Sequence, residues 1–212
     1  MDVVVLGGHG KVALQLLELL SARGDRARGI IRNPDQAADL ERIGAEPVVG
    51  DVEREDITDL VAGADAVVFA AGAGPGSGPE RKRTVDLGGA LKLIDAARAN
   101  DVRRYLIVSA MGAAVDPATF PPSMRPYYEA KWEADRAVAD SGLDHTIVRP
   151  GGLTDEPGTG RVGIDTEPVR ARVSRDDVAA TLVEVLGADN TIGKAFDLLG
   201  GETPIAEAVR AL

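Results

Sequence analysis

Four apolar residues, Val3-Val4-Val5-Leu6, run directly into Gly7-Gly8-His9-Gly10, and a helical pattern begins at Lys11. A run with no polar face reads as a strand covered on both sides, the situation found in a parallel sheet. From Lys11 to Arg23 the residues Val12, Leu16, Leu19 and Leu20 share one helical face, and Gly24 stands where a left-handed cap ends a helix. Parallel neighbours cannot be joined by a tight turn, so such a start commits the chain to crossover connections through helices.

The same rhythm recurs downstream. Ala27 to Ile31, Pro47 to Val49, Ala66 to Ala70, Tyr105 to Val108 and His145 to Val148 read as further strands. Asn33 is placed to cap a helix with Pro34 in its first turn, and helical patterns follow near 53–63, 81–100 and 123–141. Alternation of this kind predicts an α/β fold with a doubly wound, Rossmann-type parallel sheet. Past Pro150 the pattern changes to a Gly-rich loop, a strand over Pro168 to Val173, a helix opened by Ser174, a strand over Phe196 to Leu199 and a helix from Ile205 to Leu212. The expected organisation is a dinucleotide-binding core over 1–150, with 151–212 as a small substrate-covering lobe integrated with it into one domain. Gly72 to Pro79 is low in complexity and follows a strand, where such folds carry binding loops.

Composition removes several function classes. With no cysteine the chain has neither disulfides nor thiolate chemistry, and its two histidines, His9 and His145, are too few and too far apart for a histidine metal site. No metal is expected. A net charge of −10 disfavours non-specific nucleic-acid binding, which needs a basic face. No apolar run reaches the roughly 18 residues of a membrane span, and Met1-Asp2 leads straight into a strand with no basic leader, so a cytoplasmic protein is expected. The absence of coiled-coil heptads leaves monomer and homodimer equally open.

The turn Gly7-Gly8-His9-Gly10-Lys11-Val12, with Ala13 beyond it, lies between a strand and a helix, the context a dinucleotide fingerprint requires. Gly7 permits the tight turn, Gly10 a close approach to a pyrophosphate, and the small Ala13 lets helix and strand pack closely. The helix mouth offers unpaired N–H groups and a positive dipole end. His9 is either a phosphate donor or an exposed loop histidine. At the end of the second strand, where an acid would accept from the adenosine ribose, the chain carries Arg32. A guanidinium suits a 2′-phosphate, so the expected cofactor is NADP (NADPH). Asp51 falls where it meets the adenine edge, or where an ordinary turn residue stands.

Taken in order, the GxxGxxA start, Arg32, Asp51-Val52, Ala70-Ala71-Gly72, Ser109, Tyr127-Tyr128-Glu129-Ala130-Lys131 and Arg149-Pro150-Gly151 resemble the short-chain dehydrogenase/reductase superfamily. The similarity is to its atypical branch of small NAD(P)-binding proteins, related to NmrA-like regulators and flavin/biliverdin reductases, and it covers essentially the whole chain. Residues four apart share a helix face, so the Tyr127–Lys131 spacing puts an ammonium beside a phenol, where a cation is expected to lower the phenol's pKa. The resemblance implies that Tyr127 protonates a substrate carbonyl as hydride arrives. It also implies that Lys131 holds the nicotinamide ribose, and that Ser109 steadies the carbonyl oxygen. Tyr128 is the rival register, and packing of the helix is the alternative role for both tyrosines. Pro150-Gly151-Gly152-Leu153 is implied to face the nicotinamide, with Leu153 against the ring.

One departure from the family pattern is Asp86, where many relatives carry Asn. A carboxylate there alters a proton relay through Lys131 or ties the ammonium into an ion pair; a helix-surface charge is the other reading. The expected function is an NADP-dependent oxidoreductase acting on a small carbonyl or conjugated-ring substrate. A non-catalytic NADP(H) sensor and a sugar epimerase or dehydratase are the competing readings.

Overall fold

The computed structural model describes residues 1–74, 76–165 and 172–212. β1 (Asp2–Leu6) lies inside a nine-stranded sheet. To one side stand β2 (Arg26–Ile31) and β3 (Glu46–Val49); to the other stand β4 (Ala66–Phe69), β5 (Arg104–Val108), β6 (Asp144–Pro150) and β10 (Lys194–Gly200). Every pairing from β3 to β10 is parallel, while β8 (Arg161–Ile164) and β11 (Thr203–Pro204) close the far edge antiparallel. The Rossmann-type doubly wound sheet expected from the alternation is therefore present. The order in which successive strands are added reverses between β1 and β4, so a crevice opens there at the carboxyl ends of these parallel strands. The segment 151–212 adds β8, β10 and β11 to this same sheet.

The uninterrupted apolar run of β1 divides its side chains between two cores. Val3 and Val5 join α1 (Lys11–Arg23), α6 (Arg175–Leu186) and α7 (Ile205–Arg210) on one face. Val4 and Leu6 join α4 (Gly88–Ala99) and α5 (Arg125–Ala139) on the other. Successive side chains of a strand point to opposite faces, so only a continuous apolar run can serve both layers. Asn33 caps its turn as expected, its side chain accepting from the Asp35 amide at 3.1 Å, before α2 (Ala37–Arg42) begins.

Two sequence expectations change, and a third lies largely outside the described residues. The helix near 53–63 is reduced to a 3-10 turn over Thr58–Val61. Side chains from elsewhere claim its carbonyls: Lys92 donates to Val52 O and Glu55 O, Asn100 to Thr58 O, and Arg28 to Leu60 O and Ala62 O. The side chains of Asp51 and Asp56 meanwhile accept from the amides of Glu53 and Thr58, offering the backbone an alternative to a helix. The helix near 81–100 begins with α3 (Pro79–Arg81) and passes through a π-helical stretch, Lys82–Leu87, before α4. The strand expected over Pro168 to Val173 falls largely outside the described residues; β9 (Arg172–Ser174) is described, paired in parallel with β7 (Gly152–Thr154) in a separate two-stranded sheet.

Candidate active site

Gly7 turns the chain out of β1 with φ of +88°, a conformation that costs other residues strain. A Cβ at Gly7 would lie 2.6 Å from Ala71 Cα, so the turn presses directly on the loop after β4. The cap of α1, Gly10, makes no side-chain hydrogen bond, and the first turn holds no acid. The positive end of the helix is thus left open to an anion. A cleft of about 250 Å³ lies against this turn. Gly7, His9, Gly10, Arg32, Asp51, Val52, Ala70, Ala71 and Gly72 all line it.

Three members of the expected turn do other work. Gly8 donates to Ile30 O at 2.9 Å, and a Cβ there would come within 2.7 Å of Gly29 Cα, so it sets the distance between turn and β2. Val12 is buried in the core. Lys11 reaches Asp155 at 2.6 Å, and Asp155 also meets Arg175 at 2.6 Å, so one carboxylate ties the start of α1 to the start of α6. His9 is bonded to Asp39 at 2.8 Å while still facing the cleft.

At the other wall, the carboxylate of Glu53 stands between two cations. Its Oε2 is 3.6 Å from Arg32 and 3.0 Å from Arg81, and Thr84 donates to Oε1 at 2.8 Å. These partners, Arg81 first, hold the Glu53 carboxyl below its usual range. Neither Glu53 nor Arg81 is marked by a sequence motif; only their nearness in the fold singles them out.

A second cavity, of about 380 Å³, gathers the residues expected at the reacting end. Ser109, Tyr127, Tyr128, Pro150, Gly151, Gly152 and Leu153 line it, joined by Met111 and Arg175. Ser109 is positioned by β5 and β6, its amide donating to Val148 O at 2.8 Å, and its buried hydroxyl has no hydrogen-bond partner within the protein. Tyr128 is stacked on Phe120 with ring centroids 3.7 Å apart, and Tyr127 stands edge-on to it. Nζ of Lys82 lies 5.2 Å from the Tyr127 ring centroid.

Lys131 and Asp86 are only 4% and 2% exposed, and they form an ion pair at 3.3 Å. This excludes the reading of Asp86 as a surface charge. Asp86 also accepts from the Ala73 amide at 3.1 Å, while Lys131 donates to Val108 O at 3.3 Å. The expectation that Lys131 lowers the Tyr127 phenol is overturned. Burial pushes the phenol far above its ordinary value, with the negative charge of Asp86 adding to the effect. The ammonium is neutralised by its carboxylate partner, so it no longer stabilises a phenolate.

Sequence reasoning missed Asp135, one further turn along the Tyr127–Lys131 face of α5. It accepts from Arg149 Nε at 2.8 Å, and its other oxygen is buried without a partner. Burial raises its carboxyl, against the opposing pull of Arg149 and Lys131. Its spacing from Lys131 was the available signal, but its partner Arg149 comes from a different element.

A family described as NAD(P)H-binding matches residues 7–189. The chain is 41% identical to a protein of Bacillus subtilis described as an uncharacterized sugar epimerase, over the full length of both. Among solved structures it is similar to a putative NAD-dependent epimerase/dehydratase from Bacillus halodurans, with 42% identity, full coverage of both chains and a TM-score of 0.95. It is also similar to an oxidoreductase from Lactococcus lactis, at 30% identity and a TM-score of 0.88, covering 100% of this chain and 96% of that one.

Proposed function

The chain belongs to the NAD(P)H-binding family, and from that premise we propose that it is an NADPH-dependent reductase of small carbonyl or conjugated-ring substrates. The residues present fit the cofactor. An uncapped helix mouth suits a pyrophosphate, Gly7 and Gly10 keep its approach free of side chains, and Arg32 suits a 2′-phosphate. Asp51 and Val52 would border the adenosine, and Ala70 to Gly72 would floor the crevice between its ends. Pro150 to Leu153 would face the nicotinamide, which supplies a hydride when bound. The absence of cysteine supports a reducing compartment such as the cytoplasm.

One observation carries this reading: Tyr127 faces the same cavity as the unpartnered Ser109 hydroxyl. A protonated phenol serves as an acid. It donates to an oxygen that gains charge as hydride arrives, and Ser109 steadies that oxygen. An epimerase or alcohol oxidation needs the same residue to begin as a base, and burial beside Asp86 works against that. The Asp86–Lys131 pair fixes Lys131 and, through the Ala73 amide, the loop after β4. Leu153 and Met111 add apolar walls.

The neutralised Lys131 also favours a second reading, a cofactor-binding sensor without turnover. The two are separated by following loss of reduced-nicotinamide absorbance across a panel of carbonyl and flavin substrates. The reductase reading expects turnover that falls about 10²-fold or more in Tyr127→Phe with cofactor binding kept. Tight NADPH binding with no turnover on the whole panel would leave the sensor.

A further inference from the structure

We propose that Arg32 and Arg81 form one phosphate clamp that favours NADPH over NADH, and that Glu53, their shared counter-anion, holds the two guanidiniums in place while tempering that preference. This rests on the NADP reading above and adds to it two residues that no sequence motif identifies. Arg32 follows β2, while Arg81 ends α3 on the far side of the loop after β4. Both nonetheless face the same cleft, and both are drawn to a single oxygen, Glu53 Oε2, at 3.6 and 3.0 Å. Thr84 holds the other oxygen at 2.8 Å, so the carboxylate is anchored from the side away from Arg32.

Two guanidiniums sharing one carboxylate oxygen carry one positive charge more than their partner. A phosphate monoester brings a charge of about −1.5 to −2 and three acceptor oxygens, so it answers both cations where a carboxylate answers one. With Glu53 absent, the guanidiniums would face each other as like charges without a counter-ion. With Glu53 present, they are held in place, but an arriving 2′-phosphate must compete with it. NADH brings no such phosphate and has only ribose hydroxyls to offer there, for which Glu53 is an acceptor. The carboxylate therefore holds the clamp together and tempers its selectivity at once.

The test is calorimetric titration of the purified full chain with NADPH and NADH. Titration with adenosine 2′,5′-bisphosphate against AMP repeats the comparison without the nicotinamide. The quantity read is the ratio of the NADH to the NADPH dissociation constant. Arg81→Ala is expected to lower this ratio about tenfold, and Glu53→Gln to raise it by about tenfold, each equivalent to roughly 1.4 kcal/mol. All three side chains are partly exposed, so thermal melts near wild type are expected for each variant. The proposal is overturned if either substitution changes both cofactors equally, or if Glu53→Gln lowers the ratio. Arg32→Ala separates the two levels of argument. A collapsed ratio in Arg32→Ala alone, with Arg81→Ala and Glu53→Gln at the wild-type ratio, removes the clamp and keeps the phosphate reading. An unchanged ratio in Arg32→Ala removes both.

Discussion

Asp86 and Lys131 show how much a buried partner can change what a lysine offers its neighbours. Both are buried, each is the other's ionic partner, and each also holds a backbone group, the Ala73 amide and the Val108 carbonyl. Removing one member of such a pair strands the other charge. Lys131→Met is therefore expected to cost about 3–5 kcal/mol in urea unfolding, and the double variant with Asp86→Asn distinctly less than the two single costs combined. The phenol supplies a second prediction. If Tyr127 is the proton donor of the proposed reductase, its raised folded pKa predicts that turnover persists as pH rises well past the usual tyrosine range. Asp86→Asn removes one cause of that elevation, so the alkaline loss of activity should move to lower pH; a pH–rate profile with an unmoved limb would reject this account. The Tyr127–Lys131 face was legible from the spacing alone, because helical geometry is local. The state of the ammonium was not, because its carboxylate partner lies on another helix.

Elements were legible where local chemistry decides them. The strand–turn–helix start, the Asn33 cap and the Ser174 cap, whose hydroxyl accepts from the Asp177 amide at 3.0 Å, all depend on neighbours in sequence. The expected helix near 53–63 failed because Lys92, Asn100 and Arg28, distant in sequence, bind its carbonyls. The π-helical stretch over Lys82–Leu87, which carries the inward-facing Asp86, likewise has no mark in residue type. A close backbone approach between elements lies at Gly8, whose missing Cβ would meet Gly29 Cα at 2.7 Å. Backbone cannot move aside as a flexible side chain does. Gly8→Ala should destabilise the chain by about 1–3 kcal/mol in denaturant melts and weaken NADPH binding in the same variant, as the turn is pushed off β2. Normal affinity in a destabilised Gly8→Ala protein would show that the cleft does not depend on this contact.

At the scale of the molecule, alternation of strands and helices was enough to foresee the parallel sheet, since handedness and crossover rules leave few topologies. The text past Pro150 was harder to place, because most of its strands are short and the one expected over Pro168 to Val173 falls largely outside the described residues. Three of those strands, β8, β10 and β11, extend the central sheet: β10 pairs with β6 over Thr146 to Pro150, and α6 shares a core with α1. A chain ending at Pro150 should accordingly show no cooperative thermal transition; a sharp melt from residues 1–150 would mean that the core stands without them. Across the top of this sheet, Asp155 grasps Lys11 with one oxygen and Arg175 with the other, and Asp155 and Lys11 are largely bathed in water. Such a clasp is governed by dissolved counter-ions rather than by a buried fit. The starts of α1 and α6 are therefore buttoned more loosely in brine than in dilute buffer, and with them the wall that Arg175 lends to the second cavity.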